Sequence, residues 1–261
     1  QGTAVRDTLH ASRIVIGTED AYAADVLMKV YESFDAPKIR VGRRSAEMIK
    51  YASNDFLALK ISYVNEIANL CETVGANVEE VTLGMGYDKR IGDHFLSAGI
   101  GYGGSCFPKD TKALSWLASF NDKEIRTVKA AIEVNDSQKL KLIKKARKYY
   151  DDFLFLDVAV LGCTFKPGTD DLREAPSLVN VPLLLEDGAH VRIWDPVGTE
   201  NFRKQVPSEK IRYCGTIEEA ITDADLCFIF TEWDEVRKFD VGKYETLMKR
   251  PIVLDGRNCY T

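Results

Sequence analysis

Between Ser45 and Val74 the chain carries neither glycine nor proline, and apolar residues recur at 49, 52, 56, 59, 63, 67 and 70, with a second stripe at 57, 61, 64, 68 and 71. Residues three and four apart share one face of a helix, so this spacing predicts a single long, mostly buried helix. A helix that is apolar almost all round has to be covered by other elements, which calls for a helical block around it. Length and composition agree with that demand: 261 residues suggest about two domains, and 45% hydrophobic with 29% charged residues is an ordinary globular balance. No apolar run approaches the ~20 residues of a membrane helix. With 35 basic and 40 acidic residues the net charge is −5, so no general field draws nucleic acid or anionic lipid, and any anionic ligand must be held by locally placed groups.

Before the long helix, Arg13-Ile-Val-Ile-Gly17 predicts a strand, and Thr18-Glu-Asp20 opens a helical pattern through Val30 and Tyr31. One strand and one helix cannot bury both faces of the strand, so residues 1–32 are expected to be the tail of an α/β domain. After it, Asn77-Val-Glu-Glu80 reads as a capping box for a shorter helix stopping near Gly84. Residues 84–108 then hold seven glycines and one proline and are expected to form an irregular loop. Helical pattern resumes at Asp110–Ser119 and again from about Lys123 to Tyr150, the latter as one long rod. From Leu154 onward β runs alternate with helices (Leu154–Gly162, Ser177–Asp187, Ala189–Trp194, Thr216–Ala224, Asp225–Thr231, Tyr244–Lys249, Ile252–Asp255), the pattern of a doubly wound parallel sheet. The expected organisation is an α/β remnant at 1–32, a central all-helical region at 33–150 and a Rossmann-like domain at 151–261.

The densest chemistry lies in Gly99-Ile-Gly-Tyr-Gly-Gly-Ser-Cys106-Phe-Pro-Lys-Asp110. Its glycines match GxGxxG, yet no buried strand precedes them, so a dinucleotide loop is rejected. Glycines here allow close backbone approach to a ligand, and Cys106 stands where a helix begins, where positive potential and the nearby Lys109 favour a thiolate. A buried, inert cysteine is the plain alternative. Lys50 and Asn54, four apart on one helix face, could together offer donors to an oxyanion; a lysine snorkelling beside a satisfied amide accounts for them as well. In the second domain, Lys166 and Arg173 follow a strand and precede a helix, and Arg257 follows another strand, so all three could meet phosphate at one sheet edge, or each could be a solvated surface charge. Asp195 could accept from a ribose hydroxyl or simply close an Asp-Pro turn. The basic run Lys139–Lys148 reads as a solvated helix face. The six cysteines form no CxxC and no cluster with the three histidines, so no metal site and a reducing, cytoplasmic setting are expected.

Lys50-Tyr-Ala-Ser-Asn54-Asp-Phe-Leu together with Gly103-Gly-Ser-Cys106-Phe-Pro-Lys-Asp110, Phe165-Lys166, Asp171-Leu-Arg173-Glu and Asp255-Gly-Arg257 closely resembles the UDP-glucose 6-dehydrogenase family, in order and over essentially the whole chain. The resemblance implies an oxidoreductase that converts the C6 alcohol of UDP-glucose to the carboxylate of UDP-glucuronate, a polysaccharide precursor. It does so by two hydride transfers to NAD, through a thioester on Cys106. It implies Lys50 and Asn54 at the C6 oxyanion and Asp110 ordering water and supporting the lysine. Arg90, Phe95, Leu96, Tyr102, Gly103, Phe107, Phe165, Lys166 and Arg257 are implied around the sugar nucleotide, with Arg90 reaching the neighbouring subunit. Lys109 and Arg173 are implied on the NAD side, and a homodimer through the helical region. Related members act on GDP-mannose or UDP-N-acetylmannosamine, and a non-catalytic nucleotide-sugar-binding module is the reading from another class. The family's N-terminal Rossmann domain, with its GxGxxG, has no counterpart here, and Gln1 falls where many members have a glutamate. The expectation is therefore a UDP-sugar-binding fragment, inactive alone.

Overall fold

The structure is a computed structural model and describes residues 4–260; Gln1 lies outside the described residues. The chain divides into two compact units, Gln1–Phe56 and Leu57–Thr261.

The first unit holds α1 (Ala4–Leu9), β1 (Ile14–Gly17), α2 (Ala21–Val30), β2 (Lys38–Val41) and the start of α3 (Arg43–Val74). Asp20 caps α2 by accepting from the Ala23 amide at 2.9 Å, as its helix-opening position predicts. β1 and β2 pair in parallel, Ile14 opposite Lys38, so α2 is the crossover of a βαβ unit. The expected boundary at residue 32 is thereby corrected: β2 lies beyond it and is hydrogen-bonded to β1. Where the chain leaves β1, a Cβ on Gly17 would stand 2.5 Å from that of Ala46, so the strand end and α3 touch because this residue is glycine.

The helix expected from Ser45 to Val74 is α3. It is not mostly buried: Ala58, Val64 and Cys71 are covered, whereas Phe56, Tyr63, Leu70 and Val74 are exposed. Phe56, Tyr63 and Leu70 follow one another at seven-residue intervals, two helical turns, with Val74 one turn beyond, along one side of a helix whose other side packs on neighbours. There the buried Ser62 hydroxyl donates to the Ala131 carbonyl at 2.8 Å.

In the second unit come α4 (Val78–Tyr87), α5 (Phe107–Phe120), α6 (Arg126–Lys139) and α7 (Lys141–Ala146). Asn77 caps α4, but the helix runs past Gly84 to Tyr87. The expected rod from 123 to 150 is broken at Leu140, whose amide turns back to Ser137 at 3.2 Å. Just before the break the Lys139 carbonyl receives the Asn180 side-chain amide at 2.8 Å. The basic run is a solvated face only in part: Lys144, Arg147 and Lys148 are exposed, but Lys139 is 5% exposed and paired with Glu174, while Lys141 and Lys145 both grip Glu72, at 2.9 and 2.6 Å.

The parallel sheet follows as β3 (Asp157–Leu161), α8 (Pro176–Glu186), β4 (His190–Trp194), α9 (Thr199–Gln205), β5 (Ile211–Tyr213), α10 (Ile217–Ile221), β6 (Leu226–Ile229), α11 (Asp234–Arg237), α12 (Gly242–Leu247) and β7 (Val253–Asp255). Strand order is β5-β4-β3-β6-β7, all parallel, with its reversal between β3 and β6. Alternate residues serve opposite faces: Val158, Val160, Leu226 and Phe228 pack with α7, α8 and α9, while Ala159, Leu161, Cys227 and Ile229 pack with α10, α11 and α12. The architecture is α/β: a helical region followed by a Rossmann-like, doubly wound sheet.

Candidate active site

In open parallel sheets ligands bind beyond the carboxyl ends of the strands, where strand order reverses. That crevice lies between β3 and β6, and the segments around it are Gly162–Lys166 after β3, Thr231–Trp233 after β6 and Asp255–Asn258 after β7. A cavity of about 580 Å³ lined by Asp157, His190, Arg192 and Arg212 opens instead at the amino ends of β3 to β5, away from this edge.

Arg257 ties the segments together. Its Nε donates to the Phe230 carbonyl at 2.9 Å, Nη1 to the Gly101 carbonyl at 3.2 Å and Nη2 to the Phe165 carbonyl at 3.3 Å, and Glu232 lies 3.3 Å from Nε. Burial pushes the guanidinium below its ordinary pKa and Glu232 opposes that shift. A guanidinium carries five N–H donors, and three of them fix the group to main chain. Asp255 sets this turn by accepting from the amides of Arg257, Cys259 and Tyr260.

Asp195, at the end of β4, accepts from the amides of Cys163, Thr164, Val197 and Gly198, from the Thr164 hydroxyl and from the Trp233 indole. The suggestion that it meets a ribose hydroxyl is corrected: its oxygens are taken up holding the ends of β3, β4 and β6 together.

The glycine-rich segment leads into α5, which begins at Phe107 rather than near Asp110, so Cys106 is its N-terminal flanking residue and no side chain caps the helix. Cys106 is exposed, with the Ser105 hydroxyl 3.8 Å from its sulfur. Asp110, one turn on, is buried, and Lys109 lies 2.8 Å from its carboxylate. Phe107 packs edge-on against Phe95 and Tyr102, at 6.0 and 5.8 Å between ring centres. Leu96 and Tyr102 are buried and Phe95 takes a left-handed φ of 63°. A Cβ on Gly103 would stand 2.7 Å from the Glu174 carbonyl, and one on Gly104 would stand 2.8 Å from the Phe165 ring, so this turn fits between them only as glycine. Gly104 also donates to the Arg173 carbonyl at 2.7 Å. The Arg173 guanidinium is held two-pronged by Asp171, at 2.9 and 2.7 Å, and that carboxylate pushes it up in pKa. Lys166 lies over the Phe165 ring at 5.6 Å.

The structure therefore gathers Phe95, Tyr102, Gly103, Cys106, Phe107, Lys109, Asp110, Phe165, Lys166, Arg173 and Arg257 around one stretch of the second unit. Arg90 stands apart, exposed and paired with Asp88 at 2.6 Å. Lys50 and Asn54 belong to the first unit, one turn apart on α3; Lys50 is exposed beside a cavity of about 650 Å³ lined also by His10, Arg13 and Ile49, and Asn54 is half-buried. Among the described residues no group of histidine, cysteine and carboxylate could hold a metal, and no helix is long and apolar enough to cross a membrane.

Residues 44–137 match the central domain of the UDP-glucose/GDP-mannose dehydrogenase family, and residues 159–261 match its UDP-binding domain. The chain belongs to this family. It is 47% identical to UDP-glucose 6-dehydrogenase YwqF of Bacillus subtilis, over 100% of its own length and 59% of that protein, and 44% identical to UDP-glucose 6-dehydrogenase of Rhizobium meliloti, with 60% covered. In fold it is similar to a UDP-glucose dehydrogenase from Pyrobaculum islandicum (TM-score 0.91, 37% identity, 97% of this chain and 57% of that one). A UDP-D-ManNAc dehydrogenase from Pyrococcus horikoshii is more distant in sequence (TM-score 0.84, 27% identity, 99% and 59%). The chain thus spans about three-fifths of the relatives it matches.

Within this family member, sequence reasoning passed over Asn65, Asn135, Gln138 and Glu174. The signal was a polar pair three apart, Asn135 and Gln138, on an otherwise core-facing side of α6, opposite a buried irregular loop that needs hydrogen-bond partners.

Proposed function

We propose that this chain is the UDP-sugar-binding and nucleophile-bearing part of an NAD-dependent UDP-glucose 6-dehydrogenase. The observation that carries the reading is the meeting of the exposed Cys106, at the start of α5, with the Arg257 guanidinium through one glycine-rich segment whose Gly101 carbonyl Arg257 holds. A diphosphate would lie against Arg257 and Lys166, the uracil near Phe165, and the sugar along Gly103 and Phe107 toward the sulfur.

The chemistry of the product demands a nucleophile. Oxidising a primary alcohol to an acid removes two electron pairs, and the aldehyde between them must be held for the second removal. The Cys106 thiolate adds to the aldehyde carbon, giving a thiohemiacetal whose C–H is lost as hydride to leave a thioester. Water then cleaves the C–S bond, releasing the carboxylate and returning the thiol. Asp110 is proposed to hold that water. NAD, when bound, supplies the hydride acceptor. The second sheet does not fit that cofactor, because its first turn lacks the dinucleotide glycines and Asp195 is committed to protein donors. Lys109 and Arg173 are the residues proposed to meet it, and these 261 residues by themselves are expected to bind UDP-sugar without turning over NAD.

The exposed stripe Phe56, Tyr63, Leu70 and Val74 supports a homodimer through α3, and the outward Arg90 supports a reach into the partner's site. The test of the catalytic reading is Cys106→Ser in an enzyme that carries the NAD domain. UDP-glucuronate formation should vanish while UDP-glucose binding persists, and normal turnover in that variant would refute the thioester.

A further inference from the structure

Ile100, Gly101, Tyr102, Gly103 and Gly104 are buried yet belong to no helix or strand. Buried main-chain amides and carbonyls need partners, and here remote side chains supply them. The Gly99 amide donates to Asn65 at 2.8 Å, and its carbonyl receives Gln138 at 2.7 Å. Gln138 is itself steadied by Asn69 at 3.0 Å. At Tyr102 a single side chain does both jobs: Asn135 accepts from the amide at 2.7 Å and donates to the carbonyl at 3.2 Å.

We propose that Asn135 is a positioning residue: by acting as a one-residue strand partner for Tyr102 it fixes the glycine turn and, through it, the Cys106 end of α5. Asn135 is 3% exposed, so its amide bonds are made away from water. Its approach depends on Gly101, where φ is +92° and a Cβ would stand 2.7 Å from Asn135 Oδ1. A shift at Tyr102 has nowhere to dissipate before Cys106, since Gly103 and Gly104 are wedged against Glu174 and Phe165. The Tyr102 ring, moreover, rests on Phe107, the first residue of α5. The Asn135 side chain bonds the main chain of Tyr102 on both sides, and it acts on Cys106 through that loop.

This inference rests on the reading of Cys106 and the UDP-sugar site given above, and two measurements keep the two apart. In Asn135→Asp the acceptor for the Tyr102 amide remains while an oxygen now faces the Tyr102 carbonyl. Hydrogen exchange over residues 99–106 should speed up by about tenfold, the loss expected when a buried main-chain group gives up its bond, while exchange in β3 stays unchanged. The UDP-glucose concentration that half-protects Cys106 from iodoacetamide should rise by about tenfold, whereas alkylation without ligand should change by no more than about twofold, since the thiol is exposed in either case. Asn135→Ala serves if the aspartate does not fold. A lower melting temperature with unchanged exchange at 99–106, or with unchanged half-protection, would overturn the proposal. Absence of UDP-glucose protection in the unsubstituted chain would refute the ligand reading instead, and hydrogen exchange would still decide whether Asn135 holds the loop.

Discussion

The Lys139 ammonium, 5% exposed, lies 2.8 Å from Glu174, whose other oxygen is held by Lys112 at the same distance. The two ion pairs span α6, α5 and the loop after β3, and the Glu174 main chain presses on Gly103. Lys112 first, and then Lys139, hold the Glu174 carboxyl down to about 2.

A depressed carboxyl stabilises the fold above its unfolded pKa and loses that contribution as pH falls toward the folded value. Glu174→Gln should therefore be less stable near neutral pH, by about 1–3 kcal/mol, at the lower end because the carboxylate is partly exposed. The gap between variant and parent should close as pH falls from about 4.5 toward 2. Urea unfolding at stepped pH measures this, and a gap that stays constant would contradict the assignment.

Glycine substitutions should separate by backbone. Gly101→Ala meets both a left-handed φ and Asn135, and should cost about 1–3 kcal/mol. Gly84→Ala, inside α4 with open space around it, should instead raise stability by about 0.5–1 kcal/mol. Thermal melting of the two variants checks the sign of each.

Thiol reactivity should be confined. Cys106 is exposed, whereas burial raises Cys214, puts Cys163 and Cys227 well above the ordinary thiol range and pushes Cys259 up to about 12. Cys71 is buried. Brief iodoacetamide treatment of the folded chain should label Cys106 alone, as read by peptide mass spectrometry.

Asp195→Asn replaces one acceptor oxygen by an amide among six protein donors. The buried mismatch should cost about 2–4 kcal/mol in urea unfolding.

The sheet was legible because buried parallel strands read as apolar runs between helical periods, and β3, β4, β6 and β7 fall where those runs are. Lys38-Ile-Arg-Val41 was not, since two cations interrupt so short a strand; only pairing with β1 defines it. The break at Leu140 has no glycine or proline to announce it and arises from Asn180 capturing the Lys139 carbonyl, a tertiary contact. Within the site, Cys106 and the glycines could be picked out locally. The roles of Asn135, Glu174 and the three carbonyls on Arg257 depend on residues far apart in the chain that only folding brings together.

The most direct test of the central claim is calorimetric titration of UDP-glucose into this chain beside Lys166→Ala, with GDP-mannose as the competing ligand. The account predicts saturable binding of UDP-glucose, weakened by about tenfold in Lys166→Ala, as expected for loss of one charge-assisted phosphate contact, and weaker binding of GDP-mannose. No binding of UDP-glucose, or tighter binding of GDP-mannose, would contradict it.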